Sequence, residues 1–511
     1  MEVDKILKRE DAEKLLADNI KGNILIIPRE FKEIDTEAFA EMDKAMCSTQ
    51  KLINLFIPNT VMIIGIRAFQ NARFIKKLIF EERDIPIEIR ENAFYGNALK
   101  YVDFPLNVII GESAFSNSRL KSICFKNGEK KVKGEKRKAG IIIKEKAFSE
   151  CVSLTSIYFS SKAKVKIGTR AFEYVGIEEL DVKCEYEIGI QAFANCTNLK
   201  IANIKCCSSV TYEVFLNCIN LESITFEHEK AKGIVFADKA FSECVKLTVV
   251  ELKNCWITEI FDYCFNKCQN LKVIDLSKTI HIRNGAFFNC YSLERVNCSH
   301  VKSIGNYAFT ECLGLKEVIL SNKNLYIGKY AFAATSIVSI FLSNQLTRIE
   351  ECSFKGCKEL TILNIPISVE EIDTNAFENC INLEKVVFAH KSKLKVVGIG
   401  SFKGCINLLR ITFPKGVNKI GSEAFSECFS LRKISFKEDA LQLNIDELAF
   451  FNCTSLDDFV FPCDTQRIGD SAFENCIHLE QIVFKGGWPN YFGANVFKGC
   501  NVKNINFNEK M

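Results

Sequence analysis

One dipeptide, Ala-Phe or a variant that keeps the Phe, recurs along almost the whole chain. The 20 copies supply what we call the anchor phenylalanines: Phe39, Phe69, Phe94, Phe115, Phe148, Phe172, Phe193, Phe215, Phe241, Phe265, Phe287, Phe309, Phe332, Phe354, Phe377, Phe402, Phe425, Phe450, Phe473 and Phe497. Their mean spacing is about 24 residues, within the range of stacked repeats. Because each repeat buries its apolar face against its neighbours, the sequence predicts a solenoid rather than several globular domains.

Charge and hydropathy restrict the classes of partner. The 511 residues include 67 basic and 63 acidic side chains, a net charge of +4, whereas nucleic-acid-binding surfaces are strongly basic. Residues 1–22 lack an apolar stretch of signal-peptide length. No window contains the 18 consecutive apolar residues of a membrane span. We therefore expect a cytoplasmic protein that binds neither nucleic acid nor cofactor, with the cell surface, reached by unconventional export, as the alternative.

Fourteen of the 24 cysteines follow an anchor Phe by three residues, and we call them the Cys ladder. Its members are Cys151, Cys196, Cys218, Cys244, Cys268, Cys290, Cys312, Cys357, Cys380, Cys405, Cys428, Cys453, Cys476 and Cys500. Stacked repeats would place their Cα atoms about 5 Å apart, but parallel Cβ vectors are a poor geometry for disulfides. We interpret the ladder as reduced thiols that pack as small apolar side chains, which favours a reducing compartment.

The repeat unit is clearest over residues 420–436, where it follows I-G-x-x-A-F-x-x-C-x-x-L-x-x-I-x-F. Its tail, L-x-x-I-x-F, alternates apolar and variable residues and predicts a short strand, which we call the motif strand. Successive motif strands would pair in parallel. The Gly after the first Ile would permit a bend that a side chain resists.

Four repeats depart from this unit in the same way. They lack the ladder Cys and carry Asn97, Ser118, Val175 and Thr335 in its place. In each of them the next apolar anchor comes one residue early. The loss of the thiol therefore accompanies a shorter repeat, as expected if Cys fills a pocket that only the longer repeat forms.

This skeleton resembles the leucine-rich repeats of the BspA-like class, also called the Treponema pallidum type, over roughly residues 34–507. The resemblance implies a right-handed leucine-rich-repeat superhelix of about 20 turns, with a parallel β-sheet on one face. It also implies a non-enzymatic scaffold that binds protein. Because members of the family act as bacterial surface adhesins and have expanded in protist parasites, an adhesin or surface antigen is the alternative function.

The ends and one insertion interrupt the repeats. Residues 1–22 predict an amino-terminal helical cap, with Asp11 as the capping residue and Gly22 as the terminator. Residues 23–511 form the predicted solenoid, with irregular first repeats and a carboxy-terminal capping region at 485–511. The insertion 126–138 carries seven basic and two acidic side chains. It predicts a solvated loop, with contact to an acidic partner or nuclear localisation as the functional alternatives.

Residues that carry chemistry are few and scattered. The five histidines fall in different repeats, and Cys206, Cys207, Cys264 and Cys268 lack a second pair at metal-ligand spacing. No phosphate-binding loop, dinucleotide fingerprint or nucleophile elbow occurs. The sequence therefore favours a protein without catalytic, cofactor or metal site.

Specificity is expected on the motif strands, where the residues flanking the central Ile should face away from the core. The candidate protein-binding face consists of Glu251, Asp275, Arg295, Glu317, Ile319, Phe341, Lys385, Val387, Arg410 and Val460. Phe341 beside Ile319 would form contiguous apolar surface, which often marks a protein-binding site. The alternative is that aromatic and β-branched residues simply favour strands.

Overall fold

The computed structural model describes residues 5–18, 20–21, 23–42, 52–83, 85–125, 140–160, 164–205, 207, 209–321, 325–437 and 442–507, without the side chains of 184–187. Two compact units divide the chain: unit 1 is Met1–Trp256 and unit 2 is Ile257–Met511. The basic insertion 126–138 lies outside the described residues.

The described residues of unit 1 form one helix and 18 complete strands. Its elements are β1 (Lys5–Leu7), α1 (Arg9–Asp18), β2 (Ile20–Lys21), β3 (Ile24–Ile26), β4 (Phe31–Ile34), β5 (Ile53–Ile57), β6 (Ile63–Ile64), β7 (Ile75–Phe80), β8 (Ile87–Ile89), β9 (Tyr101–Phe104), β10 (Val108–Ile110), β11 (Ser122–Phe125), β12 (Gly140–Ile143), β13 (Ser156–Phe159), β14 (Lys164–Ile167), β15 (Glu179–Ile188), β16 (Ile201–Lys205), β17 (Ser209–Val210) and β18 (Ser223–Phe236). The division between the units falls within β19 (Val249–Ile260).

In unit 2, the part of the chain that the structure describes forms 20 further strands. They are β20 (His281–Ile282), β21 (Arg295–Asn297), β22 (Ser303–Ile304), β23 (Glu317–Ile319), β24 (Tyr326–Ile327), β25 (Ser339–Ile340), β26 (Arg348–Ile349), β27 (Ile362–Ile365), β28 (Glu371–Ile372), β29 (Lys385–Phe388), β30 (Val396–Val397), β31 (Arg410–Phe413), β32 (Lys419–Ile420), β33 (Lys433–Phe436), β34 (Leu443–Ile445), β35 (Asp458–Phe461), β36 (Thr465–Ile468), β37 (Gln481–Phe484), β38 (Tyr491–Phe492) and β39 (Asn504–Phe507).

The predicted fold class is confirmed: the chain is a parallel β-solenoid of about 20 turns. In unit 2 the motif strands β25, β27, β29, β31, β33, β35, β37 and β39 form one parallel sheet in that order. A second sheet, not predicted, contains β26, β28, β30, β32, β34, β36 and β38. We call these, together with β4, β6, β8, β10, β12 and β14 of unit 1, the return strands. Most end at an Ile five residues before an anchor Phe, and we call the seven residues after that Ile, such as 421–427, the anchor segment. In unit 1 the motif strands follow the order β13-β11-β9-β7-β5-β3, extended by the antiparallel β2.

The anchor phenylalanines form a continuous column within each unit. Ring centroids of successive anchors lie between 4.7 Å (Phe39 and Phe69) and 5.7 Å (Phe215 and Phe241) apart in unit 1. In unit 2 the planes of Phe287 and Phe309 are within 2° of parallel, at 5.1 Å. Nearly all of these rings are fully buried. The repeat of Phe therefore sets the position of each turn in the core.

Two residues in nearly every anchor segment adopt left-handed backbone conformations, at two positions before and two positions after the Phe. Around Phe425 these are Glu423 (φ 56°) and Glu427 (φ 62°). These left-handed residues direct backbone N–H groups along the stack. The N–H groups of Glu423, Phe425 and Glu427 donate to the carbonyls of Glu447, Ala449 and Phe451 in the next repeat, at 2.8–3.0 Å. The anchor segment thus has its own hydrogen-bonded ladder between turns, in addition to the two sheets.

The connection from motif strand to return strand varies more in length than the rest of the turn, which differs by one residue in the four short repeats. The connection is residues 105–107 between β9 and β10 but residues 126–139 between β11 and β12. By contrast, the step from the last return-strand Ile to the anchor Phe is constant, as in Ile420 to Phe425 and Ile445 to Phe450. Changes in repeat length are therefore concentrated at one edge of the turn.

The two ends differ from the predicted caps in detail. Helix α1 begins two residues before Asp11 and ends at Asp18, so Ile20 lies in β2 instead of the helix. Asp11 stabilises the helix start from inside its first turn by accepting a hydrogen bond from the Lys8 N–H at 3.1 Å. At the other end, the Trp488 ring contacts Phe484 and Phe507, with centroids 5.2 and 5.3 Å away.

Candidate protein-binding face

The motif strands orient their side chains as period-two alternation requires. In β31 the pattern from Arg410 to Phe413 is exposed, buried, exposed, buried, and β29 repeats it from Lys385 to Phe388. Of the candidate residues, Glu251, Asp275, Arg295, Glu317, Ile319, Phe341, Lys385, Val387 and Arg410 are exposed, and Val460 is half-buried. Glu251 belongs to unit 1 and the other nine belong to unit 2.

Four apolar side chains on consecutive repeats of unit 2 form what we call the apolar patch. Phe341 is 73% exposed and Ile319 44%, and both follow directly the buried residue at the centre of their strands. Val338 and Ile362 are 46% and 45% exposed. The Val338 N–H donates to the Lys316 carbonyl at 3.4 Å, and Ser339 pairs in register with Ile362. The three repeats that carry these side chains are therefore adjacent in the stack.

A row of cations, the basic row, lies on the next motif strands. Lys385 pairs in register with Arg410, and Arg410 pairs with Lys433. All three are exposed. Parallel strands are about 4.8 Å apart, so the three charges lie within about 10 Å along the stack. Ile362 on β27 pairs in register with Lys385 on β29, so the basic row begins beside the apolar patch.

Glu251 and Asp275 do not join this surface, whereas Glu317 lies on the same exposed face of β23 as Ile319. The Glu251 carboxylate lies 3.4 Å from Lys253 Nζ and accepts a hydrogen bond from Thr225 Oγ1 at 3.3 Å. Asp275 Oδ1 accepts a hydrogen bond from the Ser277 N–H at 2.9 Å, which stabilises the turn that follows it. Arg295 and Glu317 pair in register on β21 and β23.

The Cys ladder has a role beyond packing. Thirteen of the 14 ladder thiols donate a hydrogen bond to the carbonyl of the anchor Phe in the preceding repeat, as from Cys380 to Phe354 at 3.3 Å. The same geometry, at 3.0–3.3 Å, occurs for Cys151, Cys196, Cys218, Cys244, Cys290, Cys312, Cys357, Cys405, Cys428, Cys453, Cys476 and Cys500. In a short repeat the amide of Asn97 donates to the Phe69 carbonyl instead.

Burial changes the acidity of these thiols. It raises the pKa of both Cys151 and Cys357 from 9.0 to about 11. Because nucleophilic and metal-binding cysteines react as thiolates, such side chains are inert at neutral pH. Cys500 at the end of the ladder differs, because its hydrogen bond with Cys476 lowers its pKa.

The histidines take part in local contacts within the stack. His228 is buried and its Nε2 lies 2.6 Å from the Cys207 carbonyl, while His281 Nδ1 lies 2.8 Å from Ser303 Oγ. Over the described ranges, no group of three His, Cys, Asp or Glu side chains could hold a metal ion. Within the same part of the chain, no helix is both long and apolar enough to cross a membrane.

Several solved structures are similar to this chain at low sequence identity. A leucine-rich repeat protein from Bacteroides ovatus is 21% identical, covering 81% of this chain and 92% of its own, with a TM-score of 0.47. A leucine rich cell surface protein from Faecalibacterium prausnitzii is 17% identical, covering 82% and 89%, at 0.28. The pneumococcal vaccine antigen PcpA is 16% identical, covering 97% and 91%, at 0.29. No curated protein matches the chain.

The family model for the BspA type leucine rich repeat region matches six times. The matched segments are 41–136, 137–234, 207–300, 280–408, 326–453 and 395–511. Together they span most of the chain and contain the anchor Phe and ladder Cys of nearly every repeat. The chain belongs to the BspA type leucine-rich repeat family.

Proposed function

We propose that the protein is a non-enzymatic scaffold that binds a protein partner on the motif strands of unit 2. The observation that carries the proposal is the apolar patch. Phe341 is the most exposed large apolar side chain of the described residues, and it lies among Ile319, Val338 and Ile362. Contiguous exposed apolar surface of this kind is typical of binding sites, and an aromatic anchor at its centre is typical of binding hot spots.

The basic row defines the chemistry of the expected partner. Lys385, Arg410 and Lys433 form no ion pair with any described carboxylate. Like charges on neighbouring strands repel one another, and an opposite charge on a partner would relieve that repulsion. We expect a partner surface with an apolar centre flanked on one side by Asp or Glu.

The test is capture of partners by the double variant Phe341→Ser with Ile319→Ser. Since both side chains are exposed, the midpoint of thermal unfolding should change little, while recovery of the specific partner should fall by roughly tenfold or more. The matched control is Tyr326→Ser with Ile399→Ser, which removes two comparably exposed apolar side chains outside the motif strands. Retention of the partner by the patch variant, or equal loss in both variants, would contradict the proposal.

We also propose that the protein works in a reducing compartment, the cytoplasm. The ladder supports this because a thiol needs its hydrogen to donate to a Phe carbonyl, and a disulfide would remove that donor. Alkylation of protein denatured directly from its native cell should modify all 24 cysteines, as counted by mass spectrometry. Cysteines that react only after reduction would instead place the protein in an oxidising environment.

A further inference from the structure

Two consecutive short repeats in unit 1 produce a groove on the surface. The repeats of Phe94 and Phe115 each lack the ladder Cys and reach their next apolar anchor, Leu99 or Leu120, one residue early. The repeat of Phe148 that follows is a long one, with Cys151 and Leu154. Since parallel strands are about 4.8 Å apart, two short repeats make a depression about 10 Å wide. Its volume is about 450 Å³.

Most of the charged side chains that line the groove are cations. Arg73, Lys100, Arg119 and Lys121 line it, and Glu150 is the one carboxylate among its described lining residues. Backbone hydrogen bonds fix the lysines in one row: the Lys100 N–H donates to the Lys76 carbonyl at 3.3 Å, and the Lys121 N–H donates to the Lys100 carbonyl at 2.8 Å. Three lysines thus follow one another on successive repeats.

Elsewhere in unit 1, a lysine in the same row is paired with a side chain of opposite charge. The equivalent residues further along are Glu178 and Lys200, whose side chains form an ion pair at 2.9 Å. Outside this row, Lys205 at the end of β16 pairs with Asp181 at 3.1 Å. Within the described ranges, no carboxylate pairs with Lys76, Lys100 or Lys121. Like charges on neighbouring strands are destabilising, so, among the described residues, this stretch of the row lacks the opposite charge that Glu178 provides for Lys200.

We propose that this groove binds an extended acidic peptide segment of a partner protein. An extended peptide places alternate side chains on one face about 7 Å apart, so two Asp or Glu residues can each reach two of the four cations. None of the described lining residues is aromatic, so the groove has no surface on which the bases of a single-stranded nucleic acid would stack. Val152 on the long repeat gives the aliphatic part of the peptide an apolar contact.

The experiment measures binding of a fluorescently labelled eight-residue polyglutamate to the full chain at 0.05 and 0.15 M salt. The variant Lys100→Ser with Lys121→Ser should weaken binding about tenfold or more, because two direct charge contacts are lost. The control Lys200→Ser with Lys205→Ser removes the same net charge from lysines that already have partners, and should change the dissociation constant less than about twofold. Both variants keep the basic insertion 126–138, so any binding by that segment is common to them.

Two further variants and one competing ligand test whether charge in the groove determines binding. Lys100→Arg with Lys121→Arg should retain binding, and Glu150→Gln should tighten it, since the one carboxylate of the lining is neutralised. Equal weakening in the groove and control variants would overturn the proposal, because it would indicate attraction to net charge alone. Tighter binding of an eight-residue oligouridylate than of polyglutamate would also overturn it. The apolar patch is tested by different residues and a different ligand, so either proposal can fail alone.

Discussion

At the scale of single residues, the least expected feature is the number of non-glycine side chains with a positive φ. They occupy the two positions flanking most anchor phenylalanines and include Glu, Arg, Tyr, Cys and Leu. Each L-residue in this conformation costs roughly 1–2 kcal/mol relative to its right-handed alternative. The N–H groups that these residues direct to the next repeat offset that cost. Asn and Gly, which tolerate the conformation, also recur at these positions.

Leu448 is the position at which a substitution should improve stability. Its φ is 56°, and its N–H donates to the Asp470 carbonyl at 3.0 Å. Asn tolerates this backbone conformation better than Leu. Leu448→Asn should therefore raise the free energy of unfolding by about 1 kcal/mol, measured by denaturant titration. Leu409→Asn is the control, because Leu409 is exposed without a positive φ; equal changes in both variants would refute the explanation.

At the scale of the structural element, the Gly after the return strand has a different role from the one that its sequence suggests. Gly398 does not adopt a left-handed φ, so the predicted need for a bend is not the reason for it. A Cβ atom at this position would lie 2.7 Å from the Ile372 carbonyl oxygen of the preceding repeat. The glycine therefore permits close approach between successive repeats at the start of the anchor segment.

Gly398→Ala should consequently separate neighbouring repeats and destabilise unit 2. Overpacking of this kind costs roughly 1–3 kcal/mol, which would appear as a lower midpoint of thermal unfolding. Gly487→Ala is the matched control, since nothing lies within 4 Å of the Cβ that it would add. If the two variants unfolded at the same temperature, contact with the preceding repeat would not be the reason for the glycine.

At the scale of the whole molecule, the sequence determines the solenoid because one short pattern recurs 20 times. The Phe column, the Cys ladder and the orientation of the motif strands all follow from residue spacing. The return strands were missed because many contribute only two residues, such as Lys419–Ile420. The left-handed positions were missed because residues as different as Glu423 and Leu448 occupy them. Two short repeats in succession are a sequence signal for the groove in unit 1. The depth of the groove, however, depends on the long repeat beside them.

The fixed and variable parts of each turn also determine where foreign sequence can be inserted. The hydrogen bonds between successive turns are made by the segment that runs from the return strand through the anchor segment to the motif strand. The connection that follows the motif strand, by contrast, ranges from three to 14 residues in unit 1 (105–107 and 126–139). An epitope tag or fluorescent reporter placed between Phe436 and Leu443 would enter such a connection in unit 2. The molecule can therefore be labelled internally, at a chosen repeat, while its stacked core is left in register.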